Sequence, residues 1–387
     1  MTSLSACLAD VLDRLDTRHE RRQLVPTRAA DGARLTRDAL PGLIDFSSND
    51  YLGLVHHPLL AQRSADWAIR YGSGSGASRL VTGTSPEHLE IESRIARFKQ
   101  KEAALLFASG WQLNAAVLAA LLKSAPGALL FTDRLVHASL HAGAAGHRQI
   151  RFRHNDLVHL EQLLERHAGA EGPRLIVTES VFSMDGDRAD LARLSGLARA
   201  HDAFVYLDEA HATGVLGPGG AGLAAAMPDA ADLVMGTFSK AMGCFGAYVA
   251  GSRLLIDYLT NCCSGFVFST APPPAMLGAI DAALDLVPGM DAERQRVANH
   301  GEHLRQRLAK AAIGTGESST QIVPVIVGDA NKALALSDRL TALGMLAAAI
   351  RPPTVPQGTS RLRIALRATH SAEDIDRLAD VLIEEMR

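Results

Sequence analysis

Cysteine is scarce in this chain and badly spaced for structural work. The four cysteines among 387 residues are Cys7, Cys244, Cys262 and Cys263. None forms a Cys-x-x-Cys pair, and the vicinal Cys262 and Cys263 cannot easily bridge each other. This excludes a disulfide scaffold or thiolate zinc site and fits a reduced, cytoplasmic protein. Long hydrophobic runs are also missing: no stretch approaches the ~18 apolar residues of a membrane span. The opening Met1-Thr-Ser-Leu-Ser-Ala-Cys-Leu-Ala-Asp10 has neither a basic nor an apolar segment, so no secretory leader is expected. Nor is there an excess of positive charge. A formal net charge of -3 gives no general attraction to nucleic acid or anionic membrane. Lysine is sparse beside arginine, which favours specific anion contacts over a diffuse basic surface. No internal repeat or low-complexity tract is present.

What is there is an ordinary globular composition, 47% hydrophobic and 21% charged. The length suggests about two domains at roughly 150 residues each. Leu4, Leu8, Val11, Leu12 and Leu15 fall at helical spacing, which predicts an amphipathic helix over 4–24 that packs on the main body. Ser85 and Pro86 open a second helix over 86–100, with Leu89, Ile91, Ile95 and Phe98 as its buried stripe. From about residue 103, short apolar runs alternate with helix-length segments. The runs are Ala103–Ala108, Ala128–Thr132, Leu175–Thr178, Phe204–Leu207, Leu233–Met235 and Tyr248–Ala250. This pattern predicts an α/β fold: a large domain with a mostly parallel, buried sheet flanked by helices. After Pro272-Pro-Pro274, a helical stretch near 274–312 leads to a smaller α+β C-terminal domain. Its predicted strands are Val323–Val327 and Leu362–Leu366, and Ser371 caps a last helix. The expected boundaries are 1–48 for an N-terminal helix and arm, 49–285 for the large domain and 286–387 for the small one.

In such a sheet, ligand residues lie just past the strand carboxyl ends. Gly110, His137, Ser183, Asp208, His211 and Lys240 all fall there. Lys240 follows the apolar run Asp232-Leu-Val-Met-Gly-Thr237-Phe-Ser239, where solubility explains a lysine poorly. Asp208 and His211 follow Val205-Tyr-Leu in the same way. A lysine amine, a strand-end carboxylate and an imidazole are what pyridoxal phosphate (PLP) needs: a Schiff-base partner, a partner for the ring nitrogen and a donor near the ring oxygen. His137 can stack on such a ring and donate to a substrate carbonyl. Ser109-Gly110-Trp111 opens a helix over Gln112–Leu122, whose first N–H groups suit a phosphate. Thr237 and Ser183 offer hydroxyls to the same anion or ring. Plainer readings exist for each residue: a surface lysine, an Asp N-cap, a generic strand–helix turn. His137 and His141 have an i, i+4 spacing, but no Glu of a His-Glu-x-x-His motif and no third ligand accompany them, so no metal is expected. Gly72-Ser-Gly-Ser-Gly76 lacks the Gly-Lys-Ser/Thr ending of a nucleotide loop. Arg351 and Arg363 flank Pro352-Pro-Thr354, and their guanidinium forks suit substrate carboxylates or surface ion pairs.

These motifs together resemble the α-oxoamine synthases, fold-type I PLP enzymes that condense an amino acid with an acyl thioester and release carbon dioxide. The resemblance rests on Phe46-Ser-Ser-Asn49-Asp-Tyr-Leu-Gly53-Leu, Gly74-Ser-Gly-Ala-Ser-Arg79-Leu-Val-Thr-Gly83, Asp133-Arg-Leu-Val-His137-Ala-Ser, Thr178-Glu-Ser-Val-Phe-Ser183-Met-Asp-Gly-Asp187, Asp208-Glu-Ala-His211 and Thr237-Phe-Ser-Lys240. It implies that Lys240 carries the cofactor, Asp208 faces the ring nitrogen, His211 contacts the ring oxygen and His137 stacks on the ring. Gly110, Trp111, Ser183 and Thr237 would hold the cofactor. Arg363 and Asn49 would meet the amino-acid carboxylate, and Arg351 and Thr354 would line the acyl side. An N-terminal arginine, Arg22 rather than Arg21, would also touch substrate. The Arg351-Pro-Pro-Thr354-Val-Pro segment is most like the branch that joins L-alanine to a pimeloyl thioester, carried by coenzyme A or acyl carrier protein. A sister branch such as glycine C-acetyltransferase is the alternative. The family also implies a homodimer with active sites at the interface, where Ser269 and Thr270 approach the neighbour's cofactor.

Overall fold

Each apolar run read as a strand is a strand in the computed structural model, which describes residues 2–18, 20–30, 32–37 and 40–387. Seven strands form one sheet in the order Ala103–Phe107, Ala247–Gly251, Leu233–Thr237, Ala203–Asp208, Arg174–Glu179, Leu129–Asp133 and Gln149–Phe152. Their central pairings are parallel. Ala247–Gly251 departs from the rule and runs antiparallel to both its neighbours.

Successive strand residues point to opposite faces, and both faces of this sheet are covered. Ile176, Val205, Leu207 and Val234 pack with Leu160, Leu164 and Leu194 on one side. Leu175, Val177, Tyr206 and Met235 pack with Leu113, Val117, Leu118 and Leu122 of the helix Gly110–Ser124 on the other. Tyr206 and Asp208, two residues apart, therefore share the face beneath that helix. This alternation brings a helix residue onto Asp208, as described below.

The described residues divide into two compact units. One comprises Asn49–Ser183 and Asp187–Val297 and contains the seven-stranded sheet. The other comprises the residues through Ser48, Met184–Gly186 and Ala298–Arg387. It holds the three-stranded sheet Ile322–Gly328, Ser360–Ala365, Ala348–Ile350 and a four-stranded sheet in which Leu40–Asp45 pairs with Met345–Leu346. Ile44, Phe46, Val323, Leu362, Ile364, Ile375 and Leu378 are in its core. The Met184–Gly186 turn fits tightly in that unit. Gly186 has φ +67°, and a Cβ there would lie 1.9 Å from the Ile322 carbonyl oxygen. Both observations require glycine.

Three expectations are corrected. The N-terminal helix spans Ser3–Thr17, not 4–24, and none of its residues is buried. Of the longer expected segment, His19 lies outside the described residues. The stretch near 274–312 is two helices, Pro274–Leu286 and Asp291–Lys310, separated by the turn Val287–Gly289. Pro288 supplies no N–H and Gly289 little helical preference, so the ladder breaks there. In the helix Pro86–Lys99, Leu89 is exposed, while His88, Glu92 and Lys99 join Ile91 and Ile95 inside. Charged residues enter that stripe because each has a partner: Glu92 accepts two hydrogen bonds from Arg79 at 2.7 and 3.0 Å.

Candidate active site

The carboxyl ends of the parallel strands gather three acids, Asp133, Glu179 and Asp208, all buried. Each does local work. Asp208 is the last residue of its strand; its Oδ1 accepts the Ala210 N–H at 2.8 Å and its Oδ2 accepts from the Asn114 amide at 2.8 Å. The turn-capping role open to an Asp at this position is thus taken by one oxygen only. Glu179 sits opposite Asp208 in the sheet register and accepts the His137 backbone N–H at 2.5 Å. Burial, with the Asp208 charge beside it, pushes the Glu179 carboxyl well above the ordinary carboxylate range, against the pull of the His137 N–H and Lys240.

Lys240 follows the strand Leu233–Thr237 and is half-buried. Its carbonyl accepts from Gly243 N–H at 2.9 Å, closing a turn. Gly243 has φ +66°, and a Cβ there would come within 2.5 Å of Leu54; the Met-Gly after the lysine is therefore a shape requirement. Lys240 is close enough to shift the ionisation of both His137 and Glu179. His137 precedes the short helix Ala138–Gly143 and its Nδ1 lies 2.7 Å from Ser139 Oγ. Burial lowers its pKa, helped by Lys240 and His141 and opposed by Asp208. His141 turns instead to Gln149, 2.9 Å away. Among the described residues, no group of three His, Cys, Asp or Glu side chains could hold a metal ion.

His211 is buried, and its Nδ1 lies 2.7 Å from the Tyr51 hydroxyl. Tyr51 also donates to Asn49 Oδ1 at 3.0 Å, so two of the expected site residues are joined by a tyrosine that sequence reading passed over. Ser109 caps the helix Gly110–Ser124 by accepting from Gln112 N–H. The Gly110 and Trp111 N–H groups, first in that helix, have no intrahelical acceptor to reach. The Trp111 side chain is exposed. Thr237 is buried, donates to the Gly246 carbonyl at 2.9 Å and lies 2.8 Å from Ser239 Oγ. Ser183 follows the strand Arg174–Glu179 and is half-buried, in a turn closed by Phe182 N–H donating to the Asp187 carbonyl.

That turn is anchored by a histidine. His154 Nδ1 is 3.1 Å from Asp133 Oδ1 and its Nε2 is 3.1 Å from Asp187 Oδ2. Desolvation pulls its pKa down, but the two carboxylates outweigh it and raise the value to about 10 from an ordinary 6.5. The folded state therefore holds this proton more tightly than the unfolded state. Its contribution to stability is complete below about pH 6.5 and is lost as pH rises through about 10. Urea midpoints measured across that window should fall less steeply in His154→Gln than in the unsubstituted protein. Parallel slopes would refute the assignment.

On the second unit, the structure brings Arg22 and Thr354 together: Arg22 Nη2 donates to Thr354 Oγ1 at 3.1 Å. Arg21 instead pairs with Asp16 at 2.5 Å. Arg363 lies buried on the strand Ser360–Ala365. Its neighbour Arg361 is tied to Asp185 and to the Met184 carbonyl. Arg351 opens the turn whose Thr354 N–H donates back to its carbonyl at 3.0 Å.

Residues 41–382 match the family model for class I and II aminotransferases. A putative 8-amino-7-oxononanoate synthase of Bordetella bronchiseptica is 60% identical over 387 residues, covering 99% of this chain and 97% of the relative. An 8-amino-7-oxononanoate synthase of Gluconacetobacter diazotrophicus is 58% identical, covering 100% and 98%. The chain belongs to the 8-amino-7-oxononanoate synthase family. In this family's frame the fold also matches a serine palmitoyltransferase solved at high resolution with PLP, at TM-score 0.91 and 25% identity, covering 100% and 98%. PLP fits the donor set described above. A buried carboxylate can face a protonated pyridine nitrogen, a lysine amine stands at the neighbouring strand end, and two helix N–H groups lack acceptors within their helix. No helix among the described residues is long and apolar enough to cross a membrane.

Five polar residues of this cluster were not singled out in the sequence: Asn114, Ser139, Tyr206, Glu179 and Tyr51. Asn114 donates to Ser139 Oγ at 3.0 Å and to Asp208, and its own carbonyl accepts from Tyr206 OH at 2.8 Å. Two polar residues, Gln112 and Asn114, interrupt the apolar run Trp111-Gln-Leu-Asn114-Ala-Ala-Val-Leu, and the second of them was the available signal.

Proposed function

We propose that this chain, with PLP as its cofactor, condenses L-alanine with a pimeloyl thioester to give 8-amino-7-oxononanoate, carbon dioxide and free thiol, a step of biotin synthesis. Full-length identity to synthases of that name carries the reading, and the Asp208, His137 and Lys240 cluster supplies its chemistry. When bound, PLP supplies a conjugated sink for the electron pair left on the amino acid's α-carbon.

The chain's own residues do the rest. Asp208 would keep the pyridine nitrogen protonated, and His211 would contact the ring oxygen. Gly110, Trp111, Ser183 and Thr237 would hold the phosphate and ring. Lys240 Nζ takes the α-proton of alanine and later returns a proton to the same carbon. His137, with its depressed pKa, is neutral at physiological pH, and its ring N–H polarises the thioester carbonyl. The thiol departs as the new carbon–carbon bond replaces the carbon–sulfur bond. The alanine carboxylate leaves as carbon dioxide. Arg363 and Asn49 carry the amino-acid carboxylate role, and Arg22, Arg351 and Thr354 the acyl role. The active form is a cytoplasmic homodimer; the exposed side chains of Leu80, Val81, Leu254 and Phe268 support an association surface.

The test is an assay of thiol release with L-alanine, glycine and L-serine, each against pimeloyl-CoA, pimeloyl-acyl carrier protein and acetyl-CoA. L-Alanine with a pimeloyl thioester should give the highest kcat/KM by at least about 10-fold, the discrimination one methyl group can provide. Preference for glycine with acetyl-CoA would move the chain to the sister reaction.

A further inference from the structure

We infer that Asn114 is a positioning residue that sets Asp208 and His137 together, through one amide group. An ionised carboxylate can only accept, so the Asn114 nitrogen, not its oxygen, faces Asp208 Oδ2 at 2.8 Å. Tyr206, whose hydroxyl donates to the Asn114 oxygen at 2.8 Å, fixes the same orientation from the other side. The second amide hydrogen then goes to Ser139 Oγ, 3.0 Å away. Ser139 accepts there, which leaves its single hydroxyl hydrogen for His137 Nδ1 at 2.7 Å. The Ser139 backbone N–H points at the same Nδ1 from 3.3 Å. His137 Nδ1 thus receives two donors and must be bare. Its proton sits on Nε2, which has no hydrogen-bond partner among the described residues.

The consequence is chemical. A bare Nδ1 makes Nε2–H the donating end of His137, in a neutral ring. Burial lowers the pKa of this histidine, which agrees with a ring held as an acceptor at one nitrogen. Asn114, Ser139 and Tyr206 are all buried, so water does not compete for these hydrogens. The chain Tyr206–Asn114–Ser139–His137 has one consistent direction of donation, and Asp208 branches from its middle. The Asp208 branch rests on the PLP reading above; the His137 branch does not.

The test uses the holoenzyme with ¹⁵N in its histidine rings, and His137→Gln identifies the resonances. The unsubstituted protein should show His137 protonated at Nε2 and bare at Nδ1; the reverse tautomer would overturn the proposal. Asn114→Leu, of similar volume, frees the Ser139 oxygen. It should give a mixture of His137 tautomers and raise the PLP dissociation constant by at least about tenfold, the value of a hydrogen bond to a charged group. Ser139→Ala should move the His137 Nδ1 resonance yet leave PLP affinity within about twofold, since the Asn114–Asp208 bond survives. A purely structural Asn114 would move neither signal, and movement of only one in Asn114→Leu would also defeat the coupling. If Asn114→Leu does not fold, an unmoved Nδ1 resonance in Ser139→Ala decides against it. Asp208→Asn separates the two claims: unchanged PLP affinity there would refute the cofactor placement, while the tautomer readings stand alone.

Discussion

Lys240→Ala should lower L-alanine-dependent thiol release from pimeloyl-CoA by at least about 10³-fold, within the range of a lost general base. The variant should keep its fold, because Lys240 is half-buried and the turn around it is set by backbone and by Gly243. Borohydride should no longer fix PLP to the chain. A small primary amine added to the buffer should restore part of the rate, since it can take the α-proton from the space the side chain vacates. Restoration separates lost chemistry from lost structure, which no added amine repairs. Turnover within tenfold of the unsubstituted enzyme would remove Lys240 from the reaction.

Lys99→Met should cost about 3–5 kcal/mol of folding stability, the usual result of stripping one partner from a buried ion pair. Lys99 and Glu209 are both fully buried, 2.5 Å apart. Lys99 also donates to the Ala221 carbonyl, and Glu209 accepts the Ala224 N–H at 2.9 Å. Desolvation pulls the Lys99 pKa down, but Glu209 and Tyr248 reverse it and the net shift is upward. Without the ammonium, Glu209 keeps a buried charge with one backbone donor. Glu209 stands between Asp208 and His211 in sequence, so the same change should loosen the site. Urea unfolding measures the loss, and Lys99→Met with Glu209→Gln should recover part of it. A single variant as stable as the parent would show that the pair is not held ionised.

The residues that carry chemistry were legible because they interrupt apolar runs. Asp208 ends a buried strand, and His211 and Lys240 follow buried strands, where a polar side chain needs a reason. Their supports were hidden for a physical reason. Asn114 meets Asp208 across 94 residues of sequence, and Tyr51 meets His211 across 160. Pattern along a chain reports which face is buried, not which distant group shares the burial. The helix Pro86–Lys99 misled for a related reason. Its buried stripe was expected to be Leu89, Ile91, Ile95 and Phe98, yet Leu89 is exposed while Glu92 and Lys99 find partners inside, so burial followed pairing more than hydropathy. The N-terminal helix shows the converse. Its apolar spacing is regular, but helical periodicity does not by itself supply a surface to pack on, and Leu4, Leu8, Val11 and Leu12 remain exposed.

The unit that holds Arg22, Thr354 and Arg363 is stitched from three separated lengths of polypeptide, one of them only the Met184–Gly186 turn. No single break in the coding sequence can therefore divide the two units cleanly. During synthesis, the opening segment must wait on the ribosome for strands and helices encoded hundreds of codons later, whereas the Asn49–Val297 portion has nearly all its own material long before then. Division into independently expressed halves would have to carry Gly186 across with the rest, and grafts between relatives are best exchanged as whole chains.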